Sequence, residues 1–244
     1  MTGTHPKRIA MWSGPRNLST AMLYSFAARG DCAVWDEPFY AAYLRETGID
    51  HPMRDEIIAA HESDPDRVAA ACKGPIPQGK ALFYQKHMAM HMIPAFDRRW
   101  MRSCENVFLI RHPARVVASY AKKREGATAA DIGFVHQAQL FDEVAGWSGT
   151  TPLVIDSDAI RADPEGMLRK LCAALGLTFT RQMLHWLAGG NAADGVWAPH
   201  WYGAVHRSTG FDGAEGPLPD LGGAYADLAI QALPHYERLA KLAL

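Results

Sequence analysis

Between Ser13 and Thr20 the chain reads Ser-Gly-Pro-Arg-Asn-Leu-Ser-Thr, a turn-rich stretch that combines one guanidinium, one amide and three hydroxyls. These residue types suit a tetrahedral anion. Loop amides can converge on phosphate or sulfate oxygens, and a helix N-terminus adds roughly half a positive charge. Arg16 supplies a charged fork that matches two such oxygens at once. Three later places carry further ionisable groups: the carboxylates Asp36-Glu37, the pair Lys86-His87, and Arg111 in Arg-His-Pro. The plainer reading of the opening stretch is a buried strand followed by an ordinary helix, so the elements that carry these residues decide between the two.

Each group follows a short apolar run. Ile9–Trp12 precedes the loop, and after it Leu18, Met22, Leu23 and Phe26 recur at helical spacing up to Gly30. Cys32–Trp35 ends in Asp36-Glu37-Pro38. Ala81–Tyr84 ends in Gln85-Lys86-His87, and a short helix is expected between Met88 and Pro94. Asn106–Ile110, an unbroken apolar run, leads into Arg111 and an amphipathic helix through Val116, Val117 and Tyr120, with Pro113 in its first turn. Pro152–Ile155 makes a fifth strand before Asp156. The intervening segments read as helices: pieces over 39–72 broken at His51-Pro52 and Asp64-Pro65, one helix over 129–147, and a stripe of Met167, Leu168, Leu171 and Leu175 capped by Asp158 or Asp163. Glycine, proline and aromatics dominate 188–221, a loop suited to act as a lid, before a last helix from about Ala224.

Strands alternating with helices predict an α/β fold of three layers, α/β/α, with a central parallel sheet of about five strands. Such sheets place ligands at the carboxyl ends of their strands. In this chain those ends carry Ser13 to Thr20, Glu37, Lys86-His87, Arg111 and Asp156.

The length of 244 residues fits one domain over 1–244. Net charge is −1, which disfavours bulk nucleic-acid or membrane-surface binding, so an anion site has to be a local arrangement. The cysteines (Cys32, Cys72, Cys104, Cys172) form no CxxC pair, and three of them sit in or beside apolar runs, as buried reduced thiols do. His87 and His91 have HxxxH spacing without an adjacent glutamate or a third ligand, so no metal is expected. With no signal-type or bilayer-length apolar segment, the chain reads as cytoplasmic.

The phosphate-loop pattern GxxxxGK[ST] laid on Gly14 meets Ser19 in place of glycine, Thr20 in place of lysine and Ala21 in place of the hydroxyl residue. That disfavours an ATP–Mg²⁺ small-molecule kinase. The chain instead resembles the sulfotransferases that use 3′-phosphoadenosine-5′-phosphosulfate (PAPS). Arg16, Asn17, Ser19 and Thr20 match their first loop. Arg111 and Ser119, eight residues apart in "LIRHPARVVASY", match the arginine and serine that grip the donor's 3′-phosphate. "VIDSDAIRADPEGMLRKLCAALGL" is similar to a later strand-loop-helix of the family.

The resemblance covers roughly residues 7–180 and implies a P-loop-NTPase-like sulfotransferase architecture, PAPS as co-substrate, and a small-molecule acceptor with a hydroxyl or amine. It implies that Gly14, Pro15, Arg16, Asn17, Ser19, Thr20, Arg111 and Ser119 bind the donor. Lys86 or Arg16 then neutralises the bridging oxygen as the sulfuryl group leaves. Two residues compete for the role of base. "QKH" resembles the Lys-x-His of the cytosolic enzymes but with no spacer, and "DEPF" resembles the glutamate of carbohydrate-directed relatives, which ranks Glu37 ahead of His87. Trp197, His200, Trp201, Tyr202, His206 and Arg207 in the late loop are expected to close over donor and acceptor, Arg207 on the donor side. The plainer alternative for Arg111 is an ion pair with a carboxylate. A nucleotide-binding relative without the base is the non-catalytic alternative.

Overall fold

The apolar runs form strands β1 (Lys7–Ser13), β2 (Cys32–Asp36), β3 (Leu82–Met88), β4 (Glu105–Ile110) and β5 (Leu153–Asp156). In this computed structural model, which describes residues 6–123 and 126–244, they make one parallel sheet in the order β2-β3-β1-β4-β5. The helices are α1 (Ser19–Ala27), α2 (Tyr40–Thr47), α3 (Arg54–Ala60), α4 (Pro65–Lys73), α5 (Pro113–Ala121) and α6 (Ala129–Ile132). Beyond these come α7 (Phe134–Ser148), α8 (Ser157–Ala162), α9 (Pro164–Ala174), α10 (Ala198–Trp201) and α11 (Gly223–Ala240).

The central strand β1 is buried on both faces because its side chains alternate between two cores. Ile9 and Met11 pack with Met22 and Phe26 of α1 and with Leu168 and Leu171 of α9. Ala10 and Trp12 pack on the opposite face with Val68 and Cys72 of α4 and with Ala138 and Phe141 of α7. Each fully buried side chain of this size contributes about 1.5–3 kcal/mol. Five parallel strands between two helical layers are thus the expected α/β/α fold.

Local chemistry sets several boundaries. Asp64 and Asp163 each stand before a proline and cap the helix they open, Asp64 accepting from the N–H of Asp66 and Arg67 and Asp163 from that of Gly166. Asp158 caps nothing; Asp156 caps α8 by accepting from Asp158 N at 2.7 Å. The single helix expected over 129–147 breaks at Gly133, whose φ of 70° separates α6 from α7. Between Met88 and Pro94 there is only one 3₁₀ turn, Ala89–His91. Strand β3 runs four residues past Tyr84, through Gln85, Lys86 and His87, all buried. Its polar end is tolerated because each side chain finds a partner; Gln85 Nε2, for example, donates to Cys72 O at 2.7 Å.

Candidate active site

A cavity of about 310 Å³ opens at the carboxyl ends of the central strands, between the first turn of α1 and the segment from Trp201 to Asp212. Pro15, Arg16, Asn17, Ser19 and Thr20 line one end of it together with Arg111 and Ser119. Glu37 and Lys86 line the other, among Tyr40, His91 and Tyr202, and Trp201 reaches between the two, its carbonyl accepting from Arg16 Nη1 at 3.3 Å.

The loop after β1 is held by its neighbours. Arg16 and Leu18 both take left-handed backbone angles (φ 62° and 68°), which fold the chain back onto α1. Asn17 donates from Nδ2 to Leu109 O at 3.2 Å, and Gln137 of α7 donates to Trp12 O (3.1 Å) and Leu109 O (2.8 Å), tying the tips of β1 and β4 together. Gly14 does not line the cavity; a Cβ there would lie 2.8 Å from the Ile132 carbonyl oxygen. Glycine at this position lets α6 pass against the loop. No side chain caps the first turn of α1, which leaves its N–H groups available to a ligand.

Two arginines meet above this turn. Arg111 Nη1 donates to Arg16 O at 2.6 Å, and Arg16 Nε donates to Ser119 Oγ at 2.9 Å. Ser119 therefore belongs to the same group, reached through Arg16. Burial, and next the Arg111 charge, pull the Arg16 pKa below its ordinary value. Arg111 Nε is buried without a hydrogen-bond partner among the described residues. Two like charges, an unsatisfied guanidinium N–H and an uncapped helix turn fit a phosphorylated ligand such as PAPS. Arg111 also forms an ion pair with Glu215, a residue the sequence motifs do not single out.

At the other end Lys86 and Asp36 are register partners on adjacent strands, so their side chains share a face. Lys86 Nζ donates to Asp36 Oδ1 (2.8 Å), Glu37 Oε1 (2.6 Å) and Tyr202 Oη (2.6 Å), which uses all three ammonium protons. Burial draws the Lys86 pKa down, and the carboxylates of Asp36 and Glu37 more than reverse this, leaving it raised. Burial likewise pushes the Asp36 carboxyl up against the pull of Lys86. Glu37 has φ 41°, a sharp turn after β2 that projects its carboxylate into the cavity. Its second oxygen, Oε2, lies 3.8 Å from His91 Nδ1. His91 is pulled well below the ordinary histidine range, first by burial and then by the His51 and Lys86 charges, so it is neutral near pH 7.

His87 is not brought to this site. Adjacent strand residues face opposite sides of the sheet, so with Lys86 in the cavity His87 points into the far core. There its ring stacks on Trp12 at 4.5 Å, and burial, followed by the His91 and Lys86 charges, lowers its pKa to about 3. Arg207 is exposed and does not line the cavity; it borders an adjoining groove beside His185. Tyr202 and Trp197 do take part, with Trp197 Nε1 donating to Tyr202 Oη at 2.9 Å. No motif singles out Arg161 or Glu215; only the fold brings 161 and 215 beside Arg111.

A family model described as a sulfotransferase domain matches residues 7–243. This chain belongs to the sulfotransferase domain family. Two curated relatives from Arabidopsis thaliana, branched-chain-amino-acid aminotransferase-like proteins 2 and 1, are each 36% identical to it, over 95% and 96% of the chain. The chain spans only 41% and 42% of their lengths. Among solved structures, the sulfotransferase domain from the curacin biosynthetic pathway superposes with a TM-score of 0.56 at 15% identity, covering 93% of this chain and 97% of that one. The sulfotransferase domain from the Synechococcus PCC 7002 olefin synthase gives 0.50 at 16% identity, covering 97% of both chains. At these identities the likeness speaks for the sulfotransferase fold. Among the described residues no helix is long and apolar enough to cross a membrane, and no three His, Cys, Asp or Glu are grouped to hold a metal ion.

Proposed function

We propose that this sulfotransferase moves a sulfuryl group from PAPS to the hydroxyl or amine of a small acceptor in the cytoplasm, working as one domain with 188–221 as its cover. The observation that carries the reading is a single cavity with the Arg16–Arg111–Ser119 group at one end and the Glu37 carboxylate at the other. PAPS, when bound, supplies an activated sulfuryl group on a phosphate leaving group. Arg16, Ser19, Thr20 and the first-turn amides of α1 hold the 5′ end of such a donor, and Arg111 with Ser119 holds its 3′-phosphate.

Glu37 Oε2 accepts the acceptor's proton, while Oε1 stays bonded to Lys86. With its three protons already committed, Lys86 acts as the orienting residue for Glu37, and neutralisation of charge at the leaving phosphate falls to Arg16. Tyr40 and Tyr202 form the acceptor-side wall.

A thermal-shift screen tests the donor. Adenosine 3′,5′-bisphosphate at a hundred to a thousand times its Kd should add about 3–4 kcal/mol of stability by mass action, and ATP with Mg²⁺ should add much less. Stabilisation by ATP–Mg²⁺ with none from the bisphosphate would overturn the assignment in favour of a kinase.

A further inference from the structure

Glu215 sits inside a cage of three guanidinium groups. Its Oε1 pairs with Arg111 and lies 3.3 Å from Arg161 Nε, and its Oε2 lies 2.9 Å from Arg115 Nε. These arginines come from the tip of β4, from α5 and from α8, and Arg111 and Arg161 also line the cavity. The carboxylate is only 11% exposed, whereas Asp212, Gly213, Ala214, Gly216, Pro217 and Leu218 around it are all exposed. The segment is therefore held down by ionic and polar contacts, with almost no apolar burial. Arg115 Nη2 donates to Gly216 O (2.6 Å), and Arg161 Nε donates to Gly213 O (3.2 Å).

The charge count points the same way. Arg16, Arg111, Arg115 and Arg161 face three carboxylates: Asp158 on Arg115 (3.0 Å), Asp212 on Arg161 (3.4 Å) and Glu215. Withdrawing Glu215 alone leaves a surplus of two positive charges, and withdrawing Asp212 with it leaves three, enough to meet a phosphate monoester dianion. A glutamate carries one charge and two acceptor oxygens; a phosphate carries up to two charges and three terminal oxygens, and so competes well for the same forks.

We infer that Glu215 is an internal stand-in for a phosphate group: it fills the Arg111–Arg115–Arg161 site in the unliganded chain and leaves, with segment 212–216, when a phosphorylated ligand enters. The inference rests on the PAPS reading for the identity of that ligand, whose 3′-phosphate would be the competitor. Closure by Glu215 lowers apparent affinity, because only the fraction of molecules with the segment released is competent to bind.

The test uses the full chain, with Glu215→Gln and Glu215→Ala beside it, titrated calorimetrically with adenosine 3′,5′-bisphosphate and adenosine 5′-monophosphate. Both variants should bind the bisphosphate about five- to tenfold more tightly than the parent and the monophosphate equally. Cleavage after Glu215 by a glutamate-specific protease, slow while its side chain is buried in the arginine cage, should accelerate in the parent on bisphosphate addition. Unchanged or weakened bisphosphate affinity in both variants overturns the inference, as does a segment that stays protected with the bisphosphate bound. If no protein binds either nucleotide, the PAPS reading falls separately, and inorganic phosphate decides: release of 212–216 supports the stand-in, and continued protection sinks it.

Discussion

Arg111 donates from Nη1 to the backbone carbonyl of Arg16 at 2.6 Å, so the tip of β4 holds the loop that follows β1. One arginine thus serves two ends, supporting the loop and offering charge to the cavity. Replacing Arg111 with alanine should weaken binding of a 3′-phosphorylated adenine nucleotide by about 1.5–3 kcal/mol, roughly ten- to hundredfold. Binding of the analogue without the 3′-phosphate should change far less. Equal losses for both nucleotides, measured by calorimetry, would confine Arg111 to its supporting role.

Glu37 is placed by the turn after β2 and by the bond of Oε1 to Lys86, with Oε2 3.8 Å from His91 Nδ1. Glu37→Gln keeps the shape and removes the basic oxygen. Turnover is expected to fall about a hundred- to ten-thousandfold, with donor affinity nearly unchanged. Near-normal turnover in this variant would move the role of base elsewhere, and His91, the neighbour of Oε2, would be tested next.

Tyr202 Oη accepts from Lys86 and from Trp197 Nε1 and donates to Asp36 at 2.8 Å, joining the segment after α10 to the sheet. Tyr202→Phe leaves Lys86 and Trp197, both almost wholly buried, one acceptor short. A loss of about 1–3 kcal/mol in urea unfolding is expected. If stability holds, water or a shifted side chain has taken the place of the hydroxyl.

Gly14→Ala drives a methyl against the Ile132 carbonyl, 2.8 Å away. The methyl meets backbone there, so either the loop or α6 has to move, at a cost of about 1–3 kcal/mol. Nucleotide affinity should fall along with stability, since the same loop lines the cavity. A variant with parent-like melting and affinity would mean that the two backbones separate freely.

The buried histidine at 87 governs an acid-side loss of stability. Burial, with the His91 and Lys86 charges, lowers the folded-state pKa to about 3, against about 6.5 when unfolded. Between these values the unfolded chain takes up a proton that the folded chain refuses. Stability therefore falls with decreasing pH, by up to about 1.4 kcal/mol per pH unit from this group. His91, shifted the same way, adds to the slope. His87→Phe should flatten the plot of unfolding free energy between pH 6.5 and 4 relative to the parent; an unchanged slope would contradict the neutral, buried assignment.

The alternation of apolar runs with helical stripes is local information, and it was enough to place all five strands, the parallel sheet and the end of the sheet where the cavity opens. The loop from Ser13 to Thr20, the carboxylate at Glu37 and Arg111 with Ser119 were legible for the same reason: their neighbours in sequence set their strand ends. Polarity hid the end of β3, because Gln85, Lys86 and His87 look solvated until their partners at Cys72, Asp36 and Glu37 are known. The opposite facing of Lys86 and His87 was available from strand alternation, once β3 was known to continue through them. Only the tertiary structure decided which distant groups complete the site. Tyr202 is 116 residues from Lys86, and Glu215 is 104 from Arg111. Such contacts depend on how the segment after α9 folds back over the strand tips, and no spacing or periodicity within either segment encodes the meeting.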